Sequence, residues 1–183
     1  MKKLLALAAG LAVGIAVGTA MGFAFGFAGF SIGIGAILAG AAAGGAIKII
    51  IEDDRRSAYA APGLLFKGAL LVIGLAAFLA MHTATMAEGY AKLAQTNPDL
   101  LFTLELEGVG TNFVSIATAI ITRPWFAKQV FAKFDFLDFV FLVITLYATY
   151  SAAQPAGKES EKPVKIELHN SRYELTKEKV KRK

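Results

Sequence analysis

The chain has no cysteine, only two histidines and few charged residues. Without cysteine it cannot form disulfides, thiolate metal sites or a cysteine nucleophile. The two histidines, His82 and His169, are too few and too far apart in sequence to suggest a metal cluster. Only 18% of the residues are charged, whereas an ordinary soluble domain has roughly 25%. What remains is a chain dominated by apolar residues.

Charge is scarcest near the start of the chain. From Leu4 to Ile51 the only charged residue is Lys48. A bilayer crossing needs about 20 apolar residues, so this run is long enough for two spans. Met1-Lys2-Lys3 followed by an apolar run also fits a signal peptide, but the run extends far beyond the core of about 7–15 residues that such peptides have. We therefore interpret it as membrane-spanning.

Breaks in the apolar runs divide the chain into spans and loops. A charged patch at 52–56 and Pro62-Gly63 separate the second span from the third, and Asn97-Pro98-Asp99 lies in a polar stretch at 88–110. The apolar run from Thr111 is only about a dozen residues long, which suits an interfacial or re-entrant helix. We predict an all-α, polytopic membrane helical bundle of about four transmembrane helices with an interfacial helix on the outer face. The transmembrane domain is 1–154, with spans at about 4–25, 32–51, 64–86 and 134–153 and an interfacial segment at 111–133, and 155–183 is a basic cytoplasmic tail.

Basic residues predict the orientation. Lys2 and Lys3, the pair Arg55 and Arg56, and the tail all favour the cytoplasm, and four spans place them there together. A fifth crossing at 100–122 would put the tail outside and bring two glutamates into lipid, at a cost of about 2–4 kcal/mol each on insertion scales. Against four spans, three basic residues at 123–133 would lie outside. We predict four spans, with the N- and C-termini cytoplasmic.

The predicted location is the bacterial inner membrane. The layout is similar to that of many small bacterial membrane proteins, with a Gly/Ala-rich hairpin and a last span that opens with the F-D-x-x-D-F element at 134–139 and closes near Tyr147 to Tyr150. The tail has nine Lys or Arg against five Glu, so we expect it to bind anionic lipid. Excess Lys and Arg in a membrane protein mark its cytoplasmic face more often than a nucleic-acid site, so no nucleic acid is expected.

One region follows a strict small-residue pattern. Between residues 10 and 28 every fourth residue is glycine and every fourth residue, offset by two, is alanine, namely Gly10, Gly14, Gly18, Gly22 and Gly26, and Ala12, Ala16, Ala20, Ala24 and Ala28. An alternating pattern favours a strand, but a lone strand in lipid would leave its backbone groups unpaired. On a helix the glycines form one face and the alanines the opposite face.

Small residues at this spacing let helix backbones approach closely in a bilayer. The second span repeats the theme, so we predict a helix-packing interface of Gly10, Gly14, Gly18, Gly22, Gly26, Gly33, Gly40 and Gly44. One neighbour of the first span would be the second span. The other would be the third span or another protein chain. Ordinary packing inside one bundle, self-association and a glycine-lined pore all remain open.

Few residues are candidates for chemistry. His82 lies towards the outer end of the third span, and an ionisable group there is a candidate intramembrane polar site. Asp135 and Asp138 share a face at the start of the last span, where they can cap the helix, and near the interface neither carboxylate needs burial. The glycines at 33–45 lack the lysine of a phosphate-binding loop. No catalytic, cofactor-binding or metal-binding residue is predicted.

The sequence therefore favours a non-enzymatic role. We predict a scaffold or accessory subunit of a membrane complex, with the lipid bilayer and other membrane protein chains, self or hetero, as partners. The alternative is a homo-oligomeric small channel or transporter, although the ring-forming charge or polar filter of a selective pore is lacking. An intramembrane enzyme ranks last, because only His82 and scattered Thr and Tyr residues could supply a site.

Overall fold

The chain folds into an all-α bundle. The computed structural model describes residues 1–28, 32–52, 63–132 and 134–154. Within these residues it has seven helices: α1 (Lys2–Ala28), α2 (Ile32–Glu52), α3 (Leu64–Thr96), α4 (Pro98–Leu106), α5 (Phe113–Thr122), α6 (Pro124–Phe131) and α7 (Phe136–Ala153). The predicted fold class is confirmed. The predicted basic tail at 155–183 and the charged turn with Arg55 and Arg56 lie outside the described residues.

Four of the seven helices are long and apolar enough to cross a membrane. These are α1, α2, α3 and α7, and the shortest, α7, has 18 residues. At a rise of about 1.5 Å per residue, a helix of that length covers about 27 Å, close to the hydrocarbon thickness of about 30 Å. The chain is therefore an integral membrane protein, as predicted from its apolar runs.

The four long helices pack as two parallel pairs. Helices α2 and α3 each contact both α1 and α7, so the order around the bundle is α1, α2, α7, α3. Successive glycines of α1 contact successively later residues of α3, and those of α2 contact successively later residues of α7, so each of these pairs is parallel. Successive glycines of α1 contact successively earlier residues of α2, so α1 and α2 are antiparallel. The topology is therefore up-down-up-down, with each parallel pair made of alternate helices.

One end of the bundle is closed by an aliphatic cluster. Ala6 of α1, Ile47 of α2, Leu70 of α3 and Ala153 of α7 are all buried there. Met1 and residue 154 therefore lie at the same end, which we call the N-terminal end. Which side of a membrane this end faces remains a prediction.

Helix α3 continues beyond the point where the sequence suggested that the span ends. Its 33 residues reach about 50 Å, which exceeds the hydrocarbon thickness by about 20 Å. The polar stretch that begins at residue 88 is helical at its start, because Ala87, Ala91 and Ala94 continue a buried stripe along the helix. The helix ends only at Asn97, where Pro98 disfavours helical geometry in the residue before it.

Three short helices cover this extension of α3. Helix α4 begins with Asn97 as its cap, whose side chain accepts hydrogen bonds from the backbone N–H groups of Asp99 and Leu100. Helices α5 and α6 are separated at Arg123-Pro124. Leu104, Ile116, Ala119, Ile120 and Phe126 pack on the alanines of α3 in a core separate from that of the bundle. That residues 111–133 lie along the outer membrane surface remains a prediction.

Candidate functional site

The glycine face of α1 lies against α3 and α2. A Cβ atom at Gly14 would sit 3.0 Å from the Cβ of Ala43 and 3.2 Å from that of Ala77. At Gly18 and Gly22 it would collide with the backbone carbonyl groups of Ala77 and Met81, and at Gly10 with the side chain of Ile47. The N-terminal half of this face therefore packs on α2 and the other half on α3. Gly26 lies within α1.

The glycines of α2 point mainly to the last span. A Cβ at Gly40 would lie 2.5 Å from the carbonyl oxygen of Thr145, and one at Gly44 would lie 2.9 Å from the backbone nitrogen of Ala153. At Gly33 it would lie 3.0 Å from the ring of Phe141. The sequence suggested that α1 and α2 pair through their glycines. Gly10 and Gly14 of α1 and Gly35 of α2 do lie at that contact. Gly33, Gly40 and Gly44 instead bring α7 close.

The alanine face of α1 is exposed. Ala12, Ala16, Ala20 and Ala24 lie on the surface of the bundle, opposite the buried glycines. Leu11, Ile15 and Phe23 flank this strip and are themselves 38–45% exposed. One of the two small-residue faces of α1 is thus used within the chain, and the other is open to the surroundings of the bundle.

His82 is buried between α3 and α7, beside a carboxylate. Only 3% of the residue is exposed, and its Nδ1 atom lies 3.4 Å from Oδ1 of Asp138, which is 8% exposed. The sequence identified His82 as a candidate polar site but did not connect it with Asp138. The expectation that neither carboxylate at the start of the last span needs burial was wrong for Asp138, because the N-terminal turn of α7 packs its side chain against α3.

Asp138 is held in place by a capping box. Its backbone N–H donates to Oδ1 of Asp135 (3.0 Å), and its own Oδ2 accepts from the backbone N–H of Asp135 (3.1 Å). The capping role predicted for these two aspartates is present. One oxygen of Asp138 therefore fixes the start of α7 while the other faces His82, so a single side chain joins the helix cap to the contact with α3.

Aromatic rings enclose the His82 imidazole. The ring of Phe78 stacks on it with 5.9 Å between centroids, and Phe134 approaches it edge-on at 5.6 Å. Phe78 is completely buried. Water has little access to a polar contact surrounded in this way, and electrostatic attraction between charged groups is stronger where water is excluded.

Other polar side chains inside the bundle have hydrogen-bond or ion-pair partners within the chain. Thr145 and Thr149 of α7 donate to carbonyl oxygens four residues earlier. Thr85 of α3 donates to the carbonyl oxygen of Gly22 at 3.2 Å, an interhelical hydrogen bond. On the extension of α3, Glu88 lies 3.9 Å from Lys92. The hydrogen bonds of these hydroxyls and this ion pair stabilise the helix bundle, and no further role is needed to explain them.

A cavity of about 270 Å³ opens between α1, α3 and α5. Its walls are apolar apart from the hydroxyls of Thr19 and Thr83, and the ring of Phe113 forms part of one side. Phe113 also contacts Phe23 of α1 edge-on, with 5.1 Å between ring centroids. The first residue of α5 therefore packs on α1 as well as closing this cavity.

Among the residues that the structure describes, no three His, Asp and Glu side chains are grouped closely enough to hold a metal ion.

Comparison with known proteins identifies no relative. No family model matches the chain, and neither a curated protein nor a solved structure is significantly similar to it.

Proposed function

We propose that this chain is a non-enzymatic scaffold or accessory subunit of a membrane protein complex. The observation that carries the proposal is the exposed alanine face of α1. In a bilayer, helices associate where small side chains allow close backbone contact, because lipid tails are as apolar as leucine and provide no hydrophobic drive. A transmembrane helix of another chain fits such a strip.

The exposed faces of other spans differ from this strip. Helix α7 exposes large side chains along its length, including Phe136, Phe139 and Tyr147, and α2 exposes Ile34, Ile37 and Leu38. Bulky side chains of this kind fill the space between a helix and surrounding lipid. The contrast with the alanine strip supports α1 as the partner-binding span.

The proposed setting is the bacterial inner membrane, with both termini in the cytoplasm. Met1 and residue 154 lie at the same end of the bundle, which supports placing both termini on one side of the membrane. The positive-inside rule then assigns that end to the cytoplasm, because the lysines of the N-terminus lie there and the basic tail follows residue 154 in the sequence. The tail, outside the described residues, is proposed to bind anionic lipid through its excess of Lys and Arg.

Crowding the alanine strip tests the proposal. We expect Ala16→Leu/Ala20→Leu to weaken the complex by about tenfold or more, because two added side chains separate the helices and a loss of about 1.4 kcal/mol is sufficient for that change. The measurement is the mass of the native assembly, by native mass spectrometry from membranes or nanodiscs.

Gly68→Leu is the matched control. Gly68 is exposed on α3 and a Cβ there would meet nothing within 4 Å, so the change adds a leucine to another span without disturbing the bundle. The control should retain the assembly mass of the wild type. A wild-type chain that appears only as a lone monomer would contradict the scaffold role.

The second candidate function is a homo-oligomeric channel or transporter, and the buried contact of His82 with Asp138 favours it. Ionisable pairs inside spans often mark ion or proton pathways. It predicts solute or ion flux into liposomes that His82→Gln lowers severalfold. Gly18→Leu is not a selective test, because that side chain would collide with the backbone of Ala77 and disturb the whole bundle. Flux equal to that of empty vesicles rejects this candidate.

A further inference from the structure

The contact between His82 and Asp138 joins two spans at a single polar point. The two residues belong to α3 and α7, and their side chains are 4% and 11% exposed. Burying an ionisable group inside a membrane bundle is costly, so such groups are usually retained for a function. A scaffold role does not require this pair, and the inference below is independent of that role.

Among the residues that the structure describes, few other charges lie on the helices packed around this pair. Helix α7 contributes Asp135, one turn before Asp138. Helix α1 has no titratable side chain between Leu4 and Ala28, and α2 has Lys48 and Glu52 only near the N-terminal end of the bundle. On α3 itself, Glu88 lies six residues further on, beside Lys92, and α5 carries no titratable side chain. Of the charges on the described residues, those of Asp135 and Asp138 therefore lie nearest to the imidazole.

The pair lies one helical turn from the surface of the bundle, at the start of α7. Asp135 is exposed, and it is hydrogen-bonded through the capping box to Asp138. Phe78 and Phe134 cover the other sides of the imidazole. A proton can therefore enter and leave next to Asp135, while the rest of the site excludes water.

We infer that His82 and Asp138 form a proton-binding site whose occupancy controls how firmly the start of α7 docks on α3. A proton on His82 gives an imidazolium facing a carboxylate, which attract each other strongly in a dry site. Loss of that proton removes the attraction. Docking is therefore tighter below the titration of the His82 imidazole than above it.

Spin labels can measure this docking directly. Because the chain has no cysteine, Gly89→Cys and Leu137→Cys provide two unique labels at exposed positions on α3 and α7. Full-length protein in nanodiscs is compared from pH about 8 to about 5, a range that brackets the ordinary titration of histidine. We expect the distance distribution to be narrower at the acidic end of this range and to shift or broaden by about 1–2 Å or more at the basic end, as for other helix movements at packed interfaces.

Three variants identify the residues responsible. His82→Gln and Asp138→Asn should abolish the pH dependence, and Asn retains a capping oxygen at position 138. Glu88→Gln removes another buried carboxylate, on α3, and should leave the pH dependence intact. A distance distribution that is constant with pH overturns the inference. So does a pH dependence that survives in both His82→Gln and Asp138→Asn.

Histidine NMR provides a second test, and its main measurement, the titration of the His82 ring, requires no substitution within the spans. The chain has only two histidines, so ¹⁵N-histidine labelling gives two sets of ring signals, which His169→Gln assigns. We expect the His82 ring to titrate reversibly, with a titration that changes in Asp138→Asn and is unchanged in Glu88→Gln. A His82 ring in one protonation state throughout the same pH range would overturn the inference.

Discussion

Replacing Gly44 with alanine is expected to lower the free energy of unfolding by about 2–3 kcal/mol, as overpacking against an unyielding neighbour does. A Cβ at this position would lie 2.8 Å from the Cβ of Ala152 and 2.9 Å from the backbone nitrogen of Ala153. It would come closer still to the carbonyl oxygen of Thr149. Backbone atoms cannot rotate away as the end of a long side chain can, so α2 and α7 must separate.

The matched control is the neighbouring glycine. A Cβ at Gly45 meets nothing within 4 Å. Gly45→Ala is therefore expected to raise the free energy of unfolding by about 0.5–1 kcal/mol, because alanine loses less conformational freedom than glycine when a helix forms. Reversible unfolding in detergent micelles or bicelles measures both variants. Changes of the same sign and size in the two would show that α2 does not pack on α7 through Gly44.

Phe78→Ala is expected to lower the free energy of unfolding by about 2–3 kcal/mol. The same change in a soluble core costs about 3–5 kcal/mol, but part of that value comes from moving the side chain out of water, and this contribution is absent in lipid. Phe78 is completely buried, stacks on His82 and contacts Phe134 edge-on at 5.9 Å between centroids. Its removal leaves a cavity beside the buried polar pair and loses many van der Waals contacts.

Phe139→Ala makes the same truncation at an exposed ring. Phe139 lies on the outer surface of α7 and is 54% exposed, so lipid replaces the lost contacts and a change below about 1 kcal/mol is expected. Unfolding under the same conditions compares the two variants. Equal costs would mean that Phe78 does not contribute to the core between α3 and α7.

Apolar run length predicted the four spans well and the end of α3 poorly. For α1, α2 and α7 the runs stop where the helices stop, within a few residues. In α3 the polar residues from Glu88 onward end the apolar run, but polar residues do not end a helix. The longer helix is marked in the sequence by an alanine stripe that continues to Ala94, and the covering of that stripe by α4–α6 depends on tertiary packing.

The candidate site was half predictable. His82 was conspicuous because an ionisable residue is rare within a span. Asp138 was not, because its spacing from Asp135 already had a sufficient local explanation in the capping box. Which residue of α7 lies beside His82 depends on the register between distant spans. That register follows from the close approach of α7 to Gly74 of α3 and to Gly40 and Gly44 of α2, which no local pattern specifies.

The close packing of α2 on α7 has a consequence for folding during synthesis. The surface around Gly40 and Gly44 is made roughly 100 residues before its partner, which at about 5–20 residues per second means a delay of about 5–20 s during translation. Helices α1 and α3 can pair on α2 during that interval, whereas the α7 side of α2 must wait uncovered. A nascent chain that stalls before residue 136 would therefore leave the surface around Gly40 and Gly44 exposed to helices of other proteins. Pairing of α2 with a wrong helix at this surface is the assembly error that we expect first from this topology.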